Sequence, residues 1–287
     1  MEINWVLDPF PHAVIDNYLK KDDFNSLLEE LDKSEPKILS KFSSALENKQ
    51  IFNNENLNKN AKRLIERLGS NEIKDIISSF VGNLSILSLA ETDNFSGYST
   101  FHITKYNGLL GSHVDHSDIQ NGEYIHIANA IFYASAKWKK NWGGETIFYS
   151  RNGFFPKISI EPIPNRLIIF IHTSNSFHGV NSYLPKDKKV NRKTFYHDYY
   201  IKNIHQSYFL QKVNLGRQKK LEIFKHGTTF IPLFPNGINN LSLRNFFSPT
   251  NFKYLSSYII YFLNRNLNTK FNSFKNLSFL NLNKKEQ

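Results

Sequence analysis

Two short stretches of the chain could together build a metal centre. His113 and Asp115 stand two residues apart in His113-Val114-Asp115. In an extended strand, residues i and i+2 point to the same face, so an imidazole and a carboxylate would lie side by side. A second imidazole from a neighbouring strand, that of His178, completes a two-His-one-carboxylate face. Such a donor set suits Fe(II): it grips the ion on one side and leaves the opposite positions open for a substrate and O2. A His-x-Asp triplet is common by chance in a chain with 10 histidines, and a second one, His116-Ser117-Asp118, follows at once. The first pair is preferred because it comes directly after a strand-like segment and a Gly108–Gly111 turn. The second runs into the loop Gln120-Asn121-Gly122 and reads as solvated, or as a contact on the substrate side.

The elements that must position these residues are short strands. Residues 99–106 alternate in strand fashion, and 125–134, 146–149, 157–160, 167–172, 178–183 and 194–201 follow. The run 167–172 is apolar throughout and suits a strand buried on both faces. Asn107-Gly108, Asn121-Gly122, Gly143-Gly144, Asn152-Gly153 and Pro164-Asn165 supply turn chemistry between them. Many short strands at this spacing predict a double-sheet jelly roll or barrel. Before residue 95 the pattern is mainly helical. A short strand at 12–16 leads to a helix capped by Asp22 or Asp23, with Phe24, Leu27, Leu28 and Leu31 at helical spacing. Residues 60–68 and 71–80 read as two further helices. The polar stretch 33–58 reads as a loop.

The ordered set is more specific than any member. Tyr106, Gly108, His113-x-Asp115, Trp138 to Thr146 with its Gly143-Gly144-Glu145 turn, Pro164-Asn165-Arg166 before an apolar strand, Ser176-Phe177-His178-Gly179-Val180 and Arg192-Lys193-Thr194 occur in that sequence. The series resembles the iron(II)- and 2-oxoglutarate-dependent dioxygenases, in particular their prolyl-4-hydroxylase-like branch. It covers about residues 97–201, and more loosely the opening at 11–19. The resemblance implies a double-stranded β-helix of jelly-roll or cupin-like form. His113, Asp115 and His178 match the metal ligands. Arg192 matches the residue that grips the distal carboxylate of 2-oxoglutarate, a task suited to the two parallel hydrogen bonds of a guanidinium. Thr194, on the same strand face, adds a hydroxyl donor. Tyr133 and Tyr106 match cosubstrate-pocket tyrosines. The gap from His178 to Arg192 is longer than the family's and holds Pro185-Lys186-Asp187-Lys188-Lys189, so Lys189 and Lys193 are rivals for the carboxylate. The spacing from Tyr106 to His113 is shorter than the family's. Among the neighbouring side chains, Glu145 would place a hydrogen bond near the site, Trp138 and Trp142 would pack or wall the pocket, and Arg166 would anchor a loop.

The activity implied is hydroxylation of a peptidyl proline, an amino acid or a small metabolite, with release of succinate and CO2. The cofactors are Fe(II), 2-oxoglutarate and O2, with ascorbate as an optional reductant. Asp115 favours hydroxylation, because halogenating relatives lack the carboxylate. The branch that repairs alkylated nucleic acid has a second arginine six residues after the first; here that position is Asp198.

Composition sets bounds around this reading. The chain has 287 residues, 40% hydrophobic and 15% aromatic, enough for a substantial core. It has no cysteine, which excludes disulfides, thiolate metal sites and cysteine nucleophiles. The N-terminal residues lack the basic and apolar regions of a secretory signal, and no apolar run approaches the roughly 20 residues that span a bilayer, so a cytoplasmic protein is expected. The net charge of +11 lies wholly in the tail: residues 1–201 hold 23 basic and 23 acidic side chains, residues 202–287 hold 13 and 2. This divides the chain into a dioxygenase domain at 1–202, helical over 1–95 and with its β core at 96–202, and a basic, helical extension at 203–287. Expected helices there are 206–225, interrupted at Gly216, and one opening at Ser248-Pro249 with Phe252, Leu255, Ile259 and Phe262 along one face. The alternative reading is a non-catalytic cupin-like binding module whose tail contacts nucleic acid or an anionic membrane surface. A solvated or packed appendage is favoured over that, since no nucleic-acid motif appears. The oligomeric state is left open.

Overall fold

The computed structural model describes residues 3–33, 37–43, 46–52, 57–82, 84–88, 100–203, 214–215, 219–220, 226–231 and 255–265. Its strands in chain order are β1 (His12–Ile15), β2 (Ile38–Ser43), β3 (Glu47–Phe52), β4 (Leu87–Ser88), β5 (Phe101–Thr104), β6 (Gly108–Val114), β7 (Asp118–Ile119), β8 (Tyr124–Tyr133), β9 (Thr146–Tyr149), β10 (Pro156–Ile160), β11 (Leu167–Ile171), β12 (His178–Tyr183), β13 (Arg192–Lys202), β14 (Asn214–Leu215), β15 (Lys219–Lys220) and β16 (Thr229–Phe230). The helices are α1 (Lys21–Lys33), α2 (Lys59–Leu68), α3 (Asn71–Phe80) and α4 (255–265).

The sheet runs β1-β11-β8-β13-β5-β3-β6-β12-β9-β10. Its two halves are the layers of a jelly roll. One layer has the order β5-β13-β8-β11, the other β6-β12-β9-β10, and β3 pairs with both β5 and β6 to join them. Strand alternation assigns each face. On β8, Ile131 and Tyr133 point between the layers and meet Phe148, Ile168 and Phe170. Ala128, Ala130 and Phe132 point outward into a core shared with the helices. On β13, Phe195 and Tyr199 share that outer core, while Tyr196 packs inward.

The helices cover the outer face for a simple reason: each has one apolar stripe at three- and four-residue spacing. Leu27 and Leu31 of α1, Leu64 and Leu68 of α2, and Ile73 and Ile77 of α3 are all buried there. Their ends are tied to neighbours. The Glu30 carboxylate accepts from the backbone N–H of Asn60 and of Ala61 at 2.9 and 3.0 Å, which satisfies donors that α2 leaves unpaired. At the other end of α2 the Tyr199 hydroxyl donates to the Leu68 carbonyl.

Three expectations need correction. The polar stretch 33–58 contains the hairpin β2–β3, not a loop: Ser40, Lys41, Phe42 and Ser43 pair with Ile51, Gln50, Lys49 and Asn48. β2 is mostly exposed, so no apolar alternation marks it. Within 206–225, Asn214–Leu215 and Lys219–Lys220 form an antiparallel ladder in place of helix, and the rest of that stretch lies outside the described residues. In α4 the buried side chain is Tyr261, with Tyr258 beside it, while Ile259 and Phe262 are 48% and 46% exposed. The helix therefore turns a different face inward than the apolar stripe predicts; the Ser248-Pro249 start and Phe252 lie outside the described residues. No helix among the described residues is long and apolar enough to cross a membrane.

Candidate metal centre

His113 and His178 face each other because β6 and β12 are antiparallel neighbours with these two residues in register. Their ring centroids are 4.3 Å apart. Asp115, just past the end of β6, reaches between them. Its Oδ1 lies 3.3 Å from His113 Nε2, and its Oδ2 lies 3.4 Å from His178 Nε2. The three donor atoms fall within 4.8 Å of one another, the only such grouping of histidine, aspartate and glutamate able to hold a metal ion among the described residues.

The surroundings fix which nitrogen is presented. His113 Nδ1 donates to the Gly111 carbonyl at 2.9 Å, and His178 Nδ1 donates to the Ser176 carbonyl at 3.0 Å. Both imidazoles are thus held in the tautomer whose Nε2 lone pair is free, the usual outer-shell device around a metal-binding histidine. Burial drives the His178 imidazole down to about 4, so it is neutral at pH 7. Burial alone would push the Asp115 carboxyl up, but the His178 and His113 rings together outweigh that and hold it well below the usual range. An ionised carboxylate and a neutral His178 imidazole are in the protonation state that divalent iron requires of its ligands.

Behind Asp115 lies a polar layer. Asn129 Nδ2 donates to Asp115 Oδ2 at 3.3 Å and to Asp198 Oδ1 at 2.8 Å. Burial, then the nearby Asp115 charge, raises the Asp198 carboxyl well above its ordinary value. The rings of His116, His126 and His172 stack in series, with centroid separations of 4.8 and 4.5 Å. The second His-x-Asp pair belongs to this layer. His116 Nε2 is 2.9 Å from the Tyr200 hydroxyl, and Asp118 accepts from Ser117 Oγ at 2.6 Å.

A cavity of about 490 Å³ opens beside the triad, walled by Phe42, Lys49, His102, Tyr196, Asp198 and Phe230 among others. Deeper between the layers sits Arg192, only 2% exposed. Its Nε donates to the Gly144 carbonyl at 2.8 Å and its Nη2 to Thr146 Oγ1 at 3.3 Å. Tyr133, whose hydroxyl is 2.6 Å from Thr146 Oγ1, lies under the guanidinium with its ring centroid 5.2 Å away. Arg192 has no carboxylate partner among the described residues. Nearby buried polar atoms also lack partners: Thr194 Oγ1, the Tyr183 hydroxyl and both ring nitrogens of His102. A buried cation without a counter-ion costs several kcal/mol, and unpaired buried donors add to that. The enclosure has the chemistry to receive an anion with several oxygens.

The Gly143-Gly144 turn makes this packing feasible. Both glycines have positive φ, 69° and 78°. A Cβ on Gly144 would come within 2.8 Å of Tyr183 Cδ2 and 3.2 Å of Arg192 Cδ. Trp138 Nε1 donates to the Gly143 carbonyl at 2.8 Å, so it braces the turn. Trp142 packs edge-on against Tyr183. Glu145 accepts from Asn181 Nδ2 at 3.1 Å. Arg166 anchors a loop, pairing with Asp16 at 2.6 and 3.0 Å.

The structure therefore brings His113, Asp115 and His178 together, and gathers Arg192, Thr194 and Tyr133 in a second group. Tyr106 joins neither. It is 39% exposed, and its ring lies under Lys188 at 4.8 Å, because the β5–β6 turn carries it off the sheet. Lys189 and Lys193 line a separate depression of about 480 Å³ beside α1, where Lys193 Nζ pairs with Asp32 at 2.6 Å. Sequence reading passed over Asn129, His102 and Tyr183. Strand alternation could have found two of them: Asn129 is four residues before Tyr133 on β8, and His102 pairs in register with Thr194.

Residues 101–197 match the family model of the 2OG-Fe(II) oxygenase superfamily. A prolyl hydroxylase from Trichoplax adhaerens, solved with a hypoxia inducible factor oxygen degradation domain peptide fragment, aligns at 15% identity and a TM-score of 0.50, over 70% of this chain and 88% of its own. A prolyl-4-hydroxylase from Pseudomonas putida aligns at 13% identity and a TM-score of 0.49, over 68% of this chain and 95% of its own. HygX from Streptomyces hygroscopicus, solved with nickel, 2-oxoglutarate and hygromycin B, gives 12% identity and a TM-score of 0.43, over 76% and 93%. No curated protein matches the chain.

Proposed function

We propose that the chain, whose residues 101–197 match the 2OG-Fe(II) oxygenase family model, is a dioxygenase that hydroxylates a small molecule or a peptide, with His113, Asp115 and His178 as its metal ligands and Arg192 as its cosubstrate anchor. The observation that carries the reading is the triad itself: two Nε2 atoms and one carboxylate converge on one point, and each imidazole's tautomer is set by the backbone carbonyl to which its Nδ1 donates. The bound Fe(II) and 2-oxoglutarate supply oxidative decarboxylation to succinate and CO2 and the insertion of one oxygen atom of O2 into a C–H bond.

The chain's own residues position, neutralise and exclude. Gly111 and Ser176 carbonyls hold the two imidazoles with Nε2 available to a metal ion. Asn129 steadies the Asp115 carboxylate and spaces it from Asp198. Burial, then the Asp115 charge, raises the Asp198 carboxyl, which sets it apart from Asp115, whose carboxyl is lowered. Arg192 takes the far carboxylate of the cosubstrate, with Thr194 Oγ1 and the Tyr183 hydroxyl as further donors; their unpaired state supports this assignment. Tyr133 supports the guanidinium from below. Phe148, Ile131 and Phe170, all fully buried, keep the space between the layers dry.

Succinate formation tests the proposal. Purified protein supplied with Fe(II), 2-oxoglutarate and O2 should release succinate, slowly without substrate and faster with the right member of a panel of amino acids, small metabolites and proline-containing peptides. Absence of succinate with every member, from folded and iron-loaded protein, refutes it.

A further inference from the structure

We propose that the C-terminal extension supplies the substrate-side wall of the metal pocket, and that Phe230 is a specificity-determining residue. The inference rests on the metal assignment of His113, Asp115 and His178 given above. It starts from how β6 is paired. One edge of β6 is shared. β3 covers it at Leu109 and Leu110, and residues 226–231 cover it further along, with Thr229 opposite Val114 and Phe230 opposite His113. This strap is tied at both ends. The Ser117 N–H donates to the His226 carbonyl at 2.9 Å, and the Ile231 N–H donates to the Ser112 carbonyl at 2.8 Å.

Alternation along the strap gives it two faces. Ile231 turns away from the pocket into a buried cluster with Val114, Ile147, Phe177 and Tyr261. Tyr261 belongs to α4, sets its ring edge-on to His226 at 5.2 Å, and donates its hydroxyl to the Ser174 carbonyl. Thr228 and Phe230 line the metal cavity. The Phe230 ring lies flat on the His113 imidazole, with centroids 4.9 Å apart and an interplanar angle of 18°. Leu39, Ser40 and Phe42 of β2 line the same cavity. β2 and the strap thus both wall the cavity that holds the triad, and Phe230 narrows it beside His113. A slim aliphatic carbon passes this wall; a ringed or branched group at the same position collides with it.

The test uses full-length protein loaded with Co(II), titrated with imidazole and with 4-phenylimidazole and read by the visible spectrum of the ion. Phe230→Ala should strengthen 4-phenylimidazole binding by about tenfold or more, the discrimination an apolar wall imposes, and leave imidazole affinity unchanged. Equal affinity of 4-phenylimidazole for wild type and variant overturns the wall. A second measurement needs neither metal nor turnover. In metal-free protein with labelled histidine, the stacked Phe230 ring shifts the His113 ring-proton signals upfield, and Phe230→Leu should move them downfield while those of His12 stay in place. Unmoved His113 signals overturn the proposal. Failure of Co(II) to bind the wild type counts against the metal assignment, and the His113 shift then still decides the wall.

Discussion

Arg192→Met isolates the cosubstrate anchor. In protein without cosubstrate the substitution removes two hydrogen bonds, to the Gly144 carbonyl and Thr146 Oγ1, each worth about 1.5–3 kcal/mol when the donor is charged. It also removes a buried, unpaired cation whose desolvation costs several kcal/mol. The two effects oppose, so the melting temperature should change by no more than a few degrees. Cosubstrate binding has no such compensation. A carboxylate that loses its buried guanidinium partner costs roughly 2–5 kcal/mol, which raises Kd roughly 30-fold at the low end and several thousandfold at the high end. Isothermal titration of 2-oxoglutarate into Mn(II)-loaded protein measures this directly. Thermal denaturation gives a second reading: a ligand at 100 times its Kd stabilises the native state by about 2.7 kcal/mol, an increment that the wild type should show and the variant should lose. Manganese stoichiometry should be the same in both. Unchanged 2-oxoglutarate affinity, or a loss of metal together with cosubstrate, would refute the separation of the two groups of residues.

Gly144→Ala should destabilise the protein by about 1–3 kcal/mol through the clash with Tyr183 and Arg192, a fall of about 2–4 °C in Tm per kcal/mol; an unchanged Tm contradicts the packing described. Acid should destabilise metal-free protein between about pH 6.5 and 4. Burial holds His116, His178 and His226 at about 4 in the fold, so the unfolded chain takes up their protons first, at up to roughly 1.4 kcal/mol per pH unit for each. Asp198 is shifted the other way and opposes the trend with one group. Denaturant midpoints across that range should fall as pH falls, and a flat profile counts against the buried neutral imidazoles. Tyr199→Phe should cost about 0.5–1.5 kcal/mol or more by leaving the Leu68 carbonyl at the end of α2 without its donor, measurable by urea denaturation.

Of the two strands beside the metal centre, His178–Tyr183 was legible, whereas Gly108–Val114 reads at its start as a Gly108–Gly111 turn; 167–171, apolar throughout, was legible because it is buried on both sides. That His113 and Asp115 would converge was legible from their two-residue spacing, although Asp115 lies just past the end of β6. What could not be read was pairing at long range. Nothing in Ile38–Ser43 marks a strand, since its partner β3 is what holds it. Nothing near Phe230 says that it will lie on His113, more than a hundred residues earlier. The α4 face was misjudged because apolar spacing favoured Ile259 and Phe262, whereas Tyr258 and Tyr261 bury rings and Tyr261 still finds a partner for its hydroxyl at Ser174. Tyr106 was misplaced because a strand was extended into what is a turn at Asn107, where φ is +62°.

The central claim is that one divalent ion is held by His113, Asp115 and His178. Anaerobic titration with Fe(II), with metal content measured on the desalted protein, tests it most directly. Wild type and His116→Gln should each retain one ion per chain, and Asp115→Ala and His178→Gln should retain none while staying folded. Metal kept by Asp115→Ala, or lost from His116→Gln, would contradict the account.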